Sequence, residues 1–293
     1  MAVAATGFFD GVHLGHRAVI ETLLKTAHER GEQSLVITFW PHPRVVLGKD
    51  PRDLRLLTSL EEKRSKLLAL GVDRVEVIPF TREFAALTAR EYLEMLRRDY
   101  GVTSIVLGYD NRFGSDGLST ENIAALANEM DVPVQIVSQC TAALPRGEDS
   151  PETISSTKIR KALAAGKVDA ANAMLGYDYA LSGVVVGGNR MGRTIGFPTA
   201  NMKLREPLKC LPAVGVYLSR VTVEGRQLWG MTNIDPAGKI ETHIFDFSGE
   251  IYGQDIIVTF VERIRDEIRF GSFDELKKQL ERDRIAALAI IRQ

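Results

Sequence analysis

The sequence predicts an α/β domain with a parallel sheet, followed by an antiparallel β domain that ends in a helix. Three observations carry this. The first part of the chain alternates β-rich runs with helical patterns, which implies crossover connections and a sheet covered on both faces. From about residue 180 the runs become strand-like and are joined by glycine-containing turns. The length of 293 residues, 45% of them apolar, exceeds one domain at roughly 100–200 residues each. The domains are therefore set at 1–179 and 180–293.

The elements follow in order. A strand ends near Thr6 and a helix begins near Leu14. Ile20, Leu23, Leu24 and Ala27 recur at helical spacing, and Gly31 stops the helix. "SLVITF" (Ser34–Phe39) is a strand, "EEKRSKLLAL" a helix stopped by Gly71, and "RVEVIPF" a strand. "AREYLEMLRRDYG" is a helix, "TSIVLGYD" a strand, "TENIAALANEM" a helix and "VPVQIV" a strand. Two short helices in Ser155–Gly176 close the first domain. In the second, "LSGVVVGG", "VGVYLSRVTV", "RQLWGMTNI", "KIETHIFDF" and "QDIIVTFVERI" are strands. Their spacing suits an antiparallel barrel or a sandwich. Ser272 and Glu275 fit a capping box before the last helix, whose "ERDR" run reads as a solvated face.

Composition excludes several classes. Lys+Arg is 37 against Asp+Glu 38, a net charge of -1. No overall field attracts polyanions, which argues against nucleic acid, and phosphate chemistry must come from local sites. Cys140 and Cys210 are too few for a disulfide framework or a zinc site, and their low number is compatible with a reducing cytosol. No apolar run approaches the roughly 18 residues of a membrane span, and no signal-peptide pattern opens the chain. A cytoplasmic protein acting on small molecules is expected.

"GFFDGVHLGHRAVI" (Gly7–Ile20) carries the first chemistry. His13 and His16 have three readings: metal ligands, polar residues at a helix mouth, or phosphate donors. Helix N-termini present unpaired N–H groups and partial positive charge. Gly7 and Gly11 let backbone approach a phosphate. Two histidines there can donate to a phosphate whose charge rises during transfer.

H-x-G-H after a first strand resembles the nucleotidylyltransferase superfamily. There the two histidines bind ATP phosphates and stabilise attack on the α-phosphorus. "PHP" (Pro41–Pro43), "GYDNRFG" (Gly108–Gly114) and "ISSTKIR" (Ile154–Arg160) extend the resemblance. It implies a Rossmann-like fold, with His13 and His16 catalytic. ATP and phosphate would be held by Gly7, Phe8, Asp10, Gly15, Gly108, Asp110, Ser156, Thr157 and Arg160, beside Ser155 and Lys158. Asn111 is a further ribose or base ligand.

"GGNRMGRTIGFPTANM" (Gly187–Met202) closely resembles the riboflavin kinase signature, and "VGVYL" and "IETHIFDFSGEIYG" resemble that family's later motifs. The module order resembles the bifunctional bacterial riboflavin kinase/FAD synthetase over nearly the entire chain. The resemblance implies a barrel for the second domain. It implies phosphorylation of riboflavin to FMN by ATP, and adenylylation of FMN to FAD with release of pyrophosphate. Glu241 would be the kinase base. Gly187, Gly192, Arg193, Gly196, Pro198, Thr199 and Asn201 would bind ATP and flavin, with Thr199 and Asn201 also ligands of Mg²⁺. One departure stands out: the family continues N-I-G and then R-P-T, whereas here Asn233-Ile234 runs straight into "DPAGKIE". Either this loop is short or residues are missing from it.

His28 is expected at the surface. His243 shares a strand face with Glu241 and either orients that carboxylate or faces solvent. His42, in a rigid turn between two prolines, is placed to approach ATP or flavin. Trp40 and Trp229 read as packing residues.

Overall fold

The structure is a computed structural model that describes residues 1–48, 54–142, 152–188 and 191–292. These residues form two compact units, one running from Met1 to Ser156 and the other from Thr157 onward. Asn189 and Arg190 of the glycine-rich stretch lie outside the described residues. Among the described residues, no helix is long and apolar enough to cross a membrane.

The first unit contains β1 (Ala2–Thr6), α1 (Leu14–Arg30), β2 (Gln33–Trp40), α2 (Pro43–Val46), α3 (Leu60–Ala69) and β3 (Arg74–Pro79). It continues through α4 (Arg82–Ala85), α5 (Ala89–Tyr100), β4 (Val102–Gly108), α6 (Thr120–Glu129) and β5 (Val134–Val137). A strand pair follows, β6 (Thr141–Ala142) with β7 (Glu152–Thr153). The sheet order is β3-β2-β1-β4-β5, with all pairings parallel. β1 is buried on both faces. Ala2 and Ala4 enter one core with Leu35, Ile37 and Leu93, while Val3 and Ala5 enter the other with Ile20, Leu23 and Val36. The strand order reverses between β1 and β4, so the loops leaving their carboxyl ends flank a topological switch point. Gly7 to His13 follows β1 there, and Tyr109 to Asn111 follows β4.

α7 (Ser156–Ala164) and α8 (Val168–Leu175) lead into the second unit, and from Thr157 both helices cluster with it. The Asn172 carboxamide on α8 donates to Phe260 C=O at 2.9 Å and accepts the Tyr179 N–H at 2.8 Å. β8 (Ala180–Val186), α9 (Met191–Thr194), β9 (Ala200–Leu204), β10 (Gly215–Val223), β11 (Arg226–Ile234), β12 (Ile240–Ile244), β13 (Asp255–Arg265) and α10 (Phe273–Ile291) complete it. The six strands close a barrel in the order β10-β11-β12-β9-β8-β13, which resolves barrel against sandwich. Along β12, Ile240, Thr242 and Ile244 are buried, and period-two alternation turns Glu241 and His243 to the other face. Thr242 continues a buried hydroxyl chain, Ser219 to Thr232 at 2.9 Å and Thr232 to Thr242 at 3.0 Å.

Three details correct the sequence reading. β9 occupies Ala200–Leu204, where the sequence reading named no strand. In "ERDR", Glu281, Arg282 and Arg284 are exposed, but Asp283 is buried and takes Arg265 of β13 through Nε at 3.0 and 2.9 Å and Nη2 at 2.8 Å, so that position alone is docked. Ser272 does accept the Glu275 N–H at 3.3 Å, but the Glu275 carboxylate accepts the Gly271 N–H at 2.9 Å.

Candidate functional site

In the first unit the site is built on the loop from β1 to α1. Its backbone is strained: Phe9 has φ 52° and Val12 φ 40°, both non-glycine, beside Gly11 at 85°. Such conformations cost of order 1–3 kcal/mol each and persist only where the surroundings over-determine them. The surroundings do. The Asp10 carboxylate accepts the N–H groups of Leu57 at 2.9 Å and Thr58 at 3.1 Å. The Gly11 N–H donates to Thr58 Oγ1 at 3.0 Å, and the Gly7 N–H to Ile37 C=O at 3.0 Å. The Ser156 hydroxyl donates to Asp10 C=O at 2.9 Å. Lys63 Nζ, on α3, donates to Phe8 C=O at 2.8 Å.

His13 caps α1: its Nδ1 accepts the His16 N–H at 3.3 Å. An accepting Nδ1 places the neutral ring's proton on Nε2. The two imidazoles stack, with centroids 3.6 Å apart and planes 14° apart. His16 Nδ1 is buried without a hydrogen-bond partner. Burial, then His13, then Lys63 hold His16 well below its ordinary pKa. His16 is therefore neutral near pH 7, at the positive end of a helix. That suits donation to an anion better than repulsion between two cations.

The remaining predicted residues divide. Gly7 and Phe8 line a cavity of about 430 Å³ with Phe39, Phe80, Phe84 and Tyr92. Asn111 lines it too and donates through Nδ2 to Thr6 C=O at 2.6 Å. Gly15 packs so that an added Cβ would meet the His13 ring at 3.3 Å. Gly108 ends β4 and Asp110 is exposed beyond it. Thr157 is exposed and Arg160 half-buried on α7. Of the other histidines, His28 is exposed, and His42 caps α2 and sits edge-on to the Phe8 ring at 4.4 Å. Trp40 is half-buried at the end of β2, and Trp229 is packed against the barrel core.

In the second unit a cavity of about 440 Å³ is lined by Gly188, Arg193, Pro198, Thr199, Asn201 and Glu250, among others. Glycine is required around it: a Cβ on Gly192 would lie 2.1 Å from Phe197 C=O, and one on Gly188 would lie 2.3 Å from the Asn201 carboxamide. Gly187 and Gly196 are exposed beside this lining, Gly196 with φ 86°. Arg193 pairs with Glu250 at 3.5 Å. Asn201 is 6% exposed, and its Oδ1 is buried without a partner.

Glu241 stands opposite Asn201 in the antiparallel register of β12 and β9, and opposite Asn233 in that of β12 and β11. Its carboxylate pairs with Lys239. It is next to the cavity residue Thr242 but does not itself line the cavity. His243 Nδ1 pairs with Pro198 C=O at 2.8 Å, so it braces the Pro-Thr-Ala-Asn segment. The β11–β12 connection is a tight turn in which Asp235 Oδ1 accepts the N–H groups of Ala237 at 2.9 Å and Lys239 at 2.8 Å.

Among the described residues no three His, Cys, Asp or Glu side chains group as metal ligands. The orphaned Asn201 Oδ1 beside Thr199 still fits Mg²⁺, a hard cation that takes few protein oxygens and completes its shell with phosphates and water. Sequence reasoning missed Lys63 and Thr38 beneath the first loop. The available signal was a lysine four residues before Leu67, on the helix's buried stripe.

Comparison with known proteins places both halves. The FAD synthetase family model matches residues 1–158, and the riboflavin kinase model matches residues 175–291. A bifunctional riboflavin kinase/FMN adenylyltransferase of Listeria monocytogenes is 38% identical over 289 residues, covering 96% of this chain and 90% of that one. Its namesake in Bacillus subtilis is 36% identical, covering 98% and 92%. A Streptococcus pneumoniae crystal structure named as a macrolide-efflux protein superposes with a TM-score of 0.86 at 34% identity, covering 98% and 93%. With both family models matched in order and relatives alike along nearly their full lengths, the chain belongs to the bifunctional riboflavin kinase/FMN adenylyltransferase family.

Proposed function

We propose that each unit carries one of the family's two reactions, on the residues assembled above. In the second unit the riboflavin 5′-hydroxyl attacks the γ-phosphorus of ATP, ADP leaves, and FMN forms. A neutral hydroxyl gains from a general base, and Glu241 is that base. Thr199 and Asn201 hold Mg²⁺, which neutralises charge on the phosphates when bound. The single observation that carries this is the register: a carboxylate on β12 opposite a buried carboxamide whose oxygen has no partner. Gly187, Gly192, Arg193, Gly196 and Pro198 shape the nucleotide and flavin seat around it.

In the first unit the FMN phosphate attacks the α-phosphorus of a second ATP, giving FAD and pyrophosphate. That nucleophile is already ionised near neutral pH, so no base is needed. The site must instead hold two anions together and stabilise charge on the leaving group. His13 and His16 supply donors at the N-terminus of α1, and Gly7 and Phe8 supply backbone. Ser156 at the start of α7, with Gly15, Gly108 and Asp110, completes the ATP contacts. Asp10 serves by holding the loop. The cavity beside Gly7, lined by Phe39, Phe80, Phe84 and Tyr92, is suited to an isoalloxazine ring. The protein works as a cytoplasmic enzyme on small molecules.

The test is direct. The full chain is incubated with riboflavin, ATP and Mg²⁺, and the products are identified by chromatography and mass. FMN followed by FAD is expected. FMN without FAD would remove the assignment of the first unit, and neither product would remove both.

A further inference from the structure

Lys63 is a buried lysine that the two reactions leave unexplained. It is 1% exposed. Its Nζ donates to Phe8 C=O at 2.8 Å and to Thr38 Oγ1 at 2.9 Å. Thr38 Oγ1 itself donates to the same carbonyl at 3.1 Å. The ammonium also lies 4.0 Å from the centroid of the Phe8 ring. A buried charge is costly unless its surroundings use it. An apolar side chain of this length would pack here without that cost, so the ammonium must be explained by what it touches.

What it touches is the strained loop. Phe8 precedes Phe9, one of this loop's two non-glycine residues at positive φ, and lies on the loop that delivers His13 and His16. The charge is felt at the catalytic pair, since Lys63 is among the groups that lower the His16 pKa. The carboxylate acting on Lys63 is Asp10, which is engaged by the N–H groups of Leu57 and Thr58. The ammonium is thus left to bind a carbonyl, a hydroxyl and a ring.

We propose that Lys63 is a positioning residue for adenylyl transfer: it clamps the Phe8 carbonyl beneath the phosphate-binding loop and sets fixed positive charge under the ATP phosphates. This rests on the reading of that loop as the adenylylation site. Lys63 acts through Phe8 and through its field. Burial lowers its pKa to about 8, with Asp10 acting in the opposite direction, so its charge is lost within an accessible pH range. The titratable groups coupled to it are Asp10 on the loop and His16 on α1. His16 titrates below 6.5, outside that range.

The experiment measures kcat/KM for ATP in FAD synthesis from FMN, with the full chain and Mg²⁺, from about pH 7 to 10; this ratio reports pKa values of the free enzyme. In the wild type it should decline above about pH 8. Lys63→Met should lower it roughly 10²-fold at pH 7, the scale of a small misplacement, and should lack the alkaline decline. Lys63→Arg keeps a charge that does not titrate in this range, so it should recover part of the rate and also lack the decline. Riboflavin phosphorylation in the same samples should be unchanged. A flat wild-type profile would overturn the proposal. So would Lys63→Met within about threefold of wild type, or a loss of rate that keeps the wild-type decline. If Lys63→Met fails to fold, the wild-type profile and the arginine variant still decide. His13→Ala separates the two levels: if it leaves FAD synthesis intact, the loop assignment itself falls. If it abolishes FAD synthesis while Lys63→Met does not impair it, only the role of Lys63 falls.

Discussion

His13 and His16 stack ring on ring, with centroids 3.6 Å apart, while His13 Nδ1 accepts the backbone N–H of His16. One histidine thereby fixes the other's position and its own tautomer. The Nε2–H of His13 becomes the donor, preorganised before any nucleotide arrives. His13→Ala or His16→Ala should lower FAD formation from FMN by about 10²–10³ in kcat, the usual loss for one preorganised donor. Riboflavin phosphorylation should continue, and the two initial rates measured separately check this. Equal loss of both activities would contradict the assignment.

The same stack predicts a pH dependence of stability. Burial, His13 and Lys63 depress the His16 pKa below 6.5. The unfolded chain then binds that proton more readily than the folded one. Stability should therefore fall as pH drops below about 6.5 and keep falling until the folded-state pKa is reached. His243 in the second unit is shifted the same way, first by burial, so the diagnostic is a difference. Thermal midpoints at about pH 7.5 and 5 should lie closer together in His16→Asn than in the wild type. An identical spread would mean that His16 is not depressed.

The alternation of strand and helix was legible because short β-rich runs alternate with helices that keep their caps, from Ser59 on α3 to Gly101 ending α5. β9 was not. Ala200, Asn201 and Met202 are all buried, which erases the period-two signal, and the glycine-rich run before them reads as loop. Its loss matters, since β9 is what sets Asn201 against Glu241. Lys63 and Asp283 were hidden for a shared reason. A charged residue on a helix reads as solvated unless its partner is known, and these partners are a carbonyl on a distant loop and an arginine on another strand. The motif residues were legible as chemistry, but not the work divided among them. Asp10 and Ser156 both spend hydrogen bonds on the loop itself.

Asp283 tests how the last helix is held. It is 2% exposed, and it binds an Arg265 side chain that is 15% exposed. Leu280, Ala287 and Leu288 of α10 pack beside this pair onto Phe245, Val216 and Leu218. Asp283→Ala leaves a half-buried guanidinium short of its counter-charge, which costs up to about 3 kcal/mol, the lower end for a buried pair. Urea unfolding followed by Trp229 fluorescence, in a Trp40→Phe background, should show that loss in the second unit. A change below about 1 kcal/mol would place the pair among the weak surface bridges.

Glu241→Gln separates the two chemistries of the chain. Glutamine keeps the size of the side chain and some hydrogen bonding, but it cannot take a proton as a carboxylate does. Its partners are set by register rather than by a loop: Asn201 on one flanking strand and Asn233 on the other. The substitution should therefore leave the barrel and the proposed Mg²⁺ ligands, Thr199 and Asn201, in place. The cost is the ion pair with Lys239, a part-exposed contact worth about 1 kcal/mol or less. The rate of riboflavin phosphorylation should fall by roughly the 10²–10⁴ that a general base contributes, while riboflavin and ATP binding change much less. FAD synthesis from supplied FMN should be nearly unaffected, because its nucleophile is already anionic and its loop lies in the other unit. Two initial rates at one pH, starting from riboflavin and from FMN, decide the matter. A kinase rate within about threefold of wild type lies far below a base's contribution. It would transfer suspicion to the tight Asp235–Lys239 turn, which delivers Lys239 to the same carboxylate.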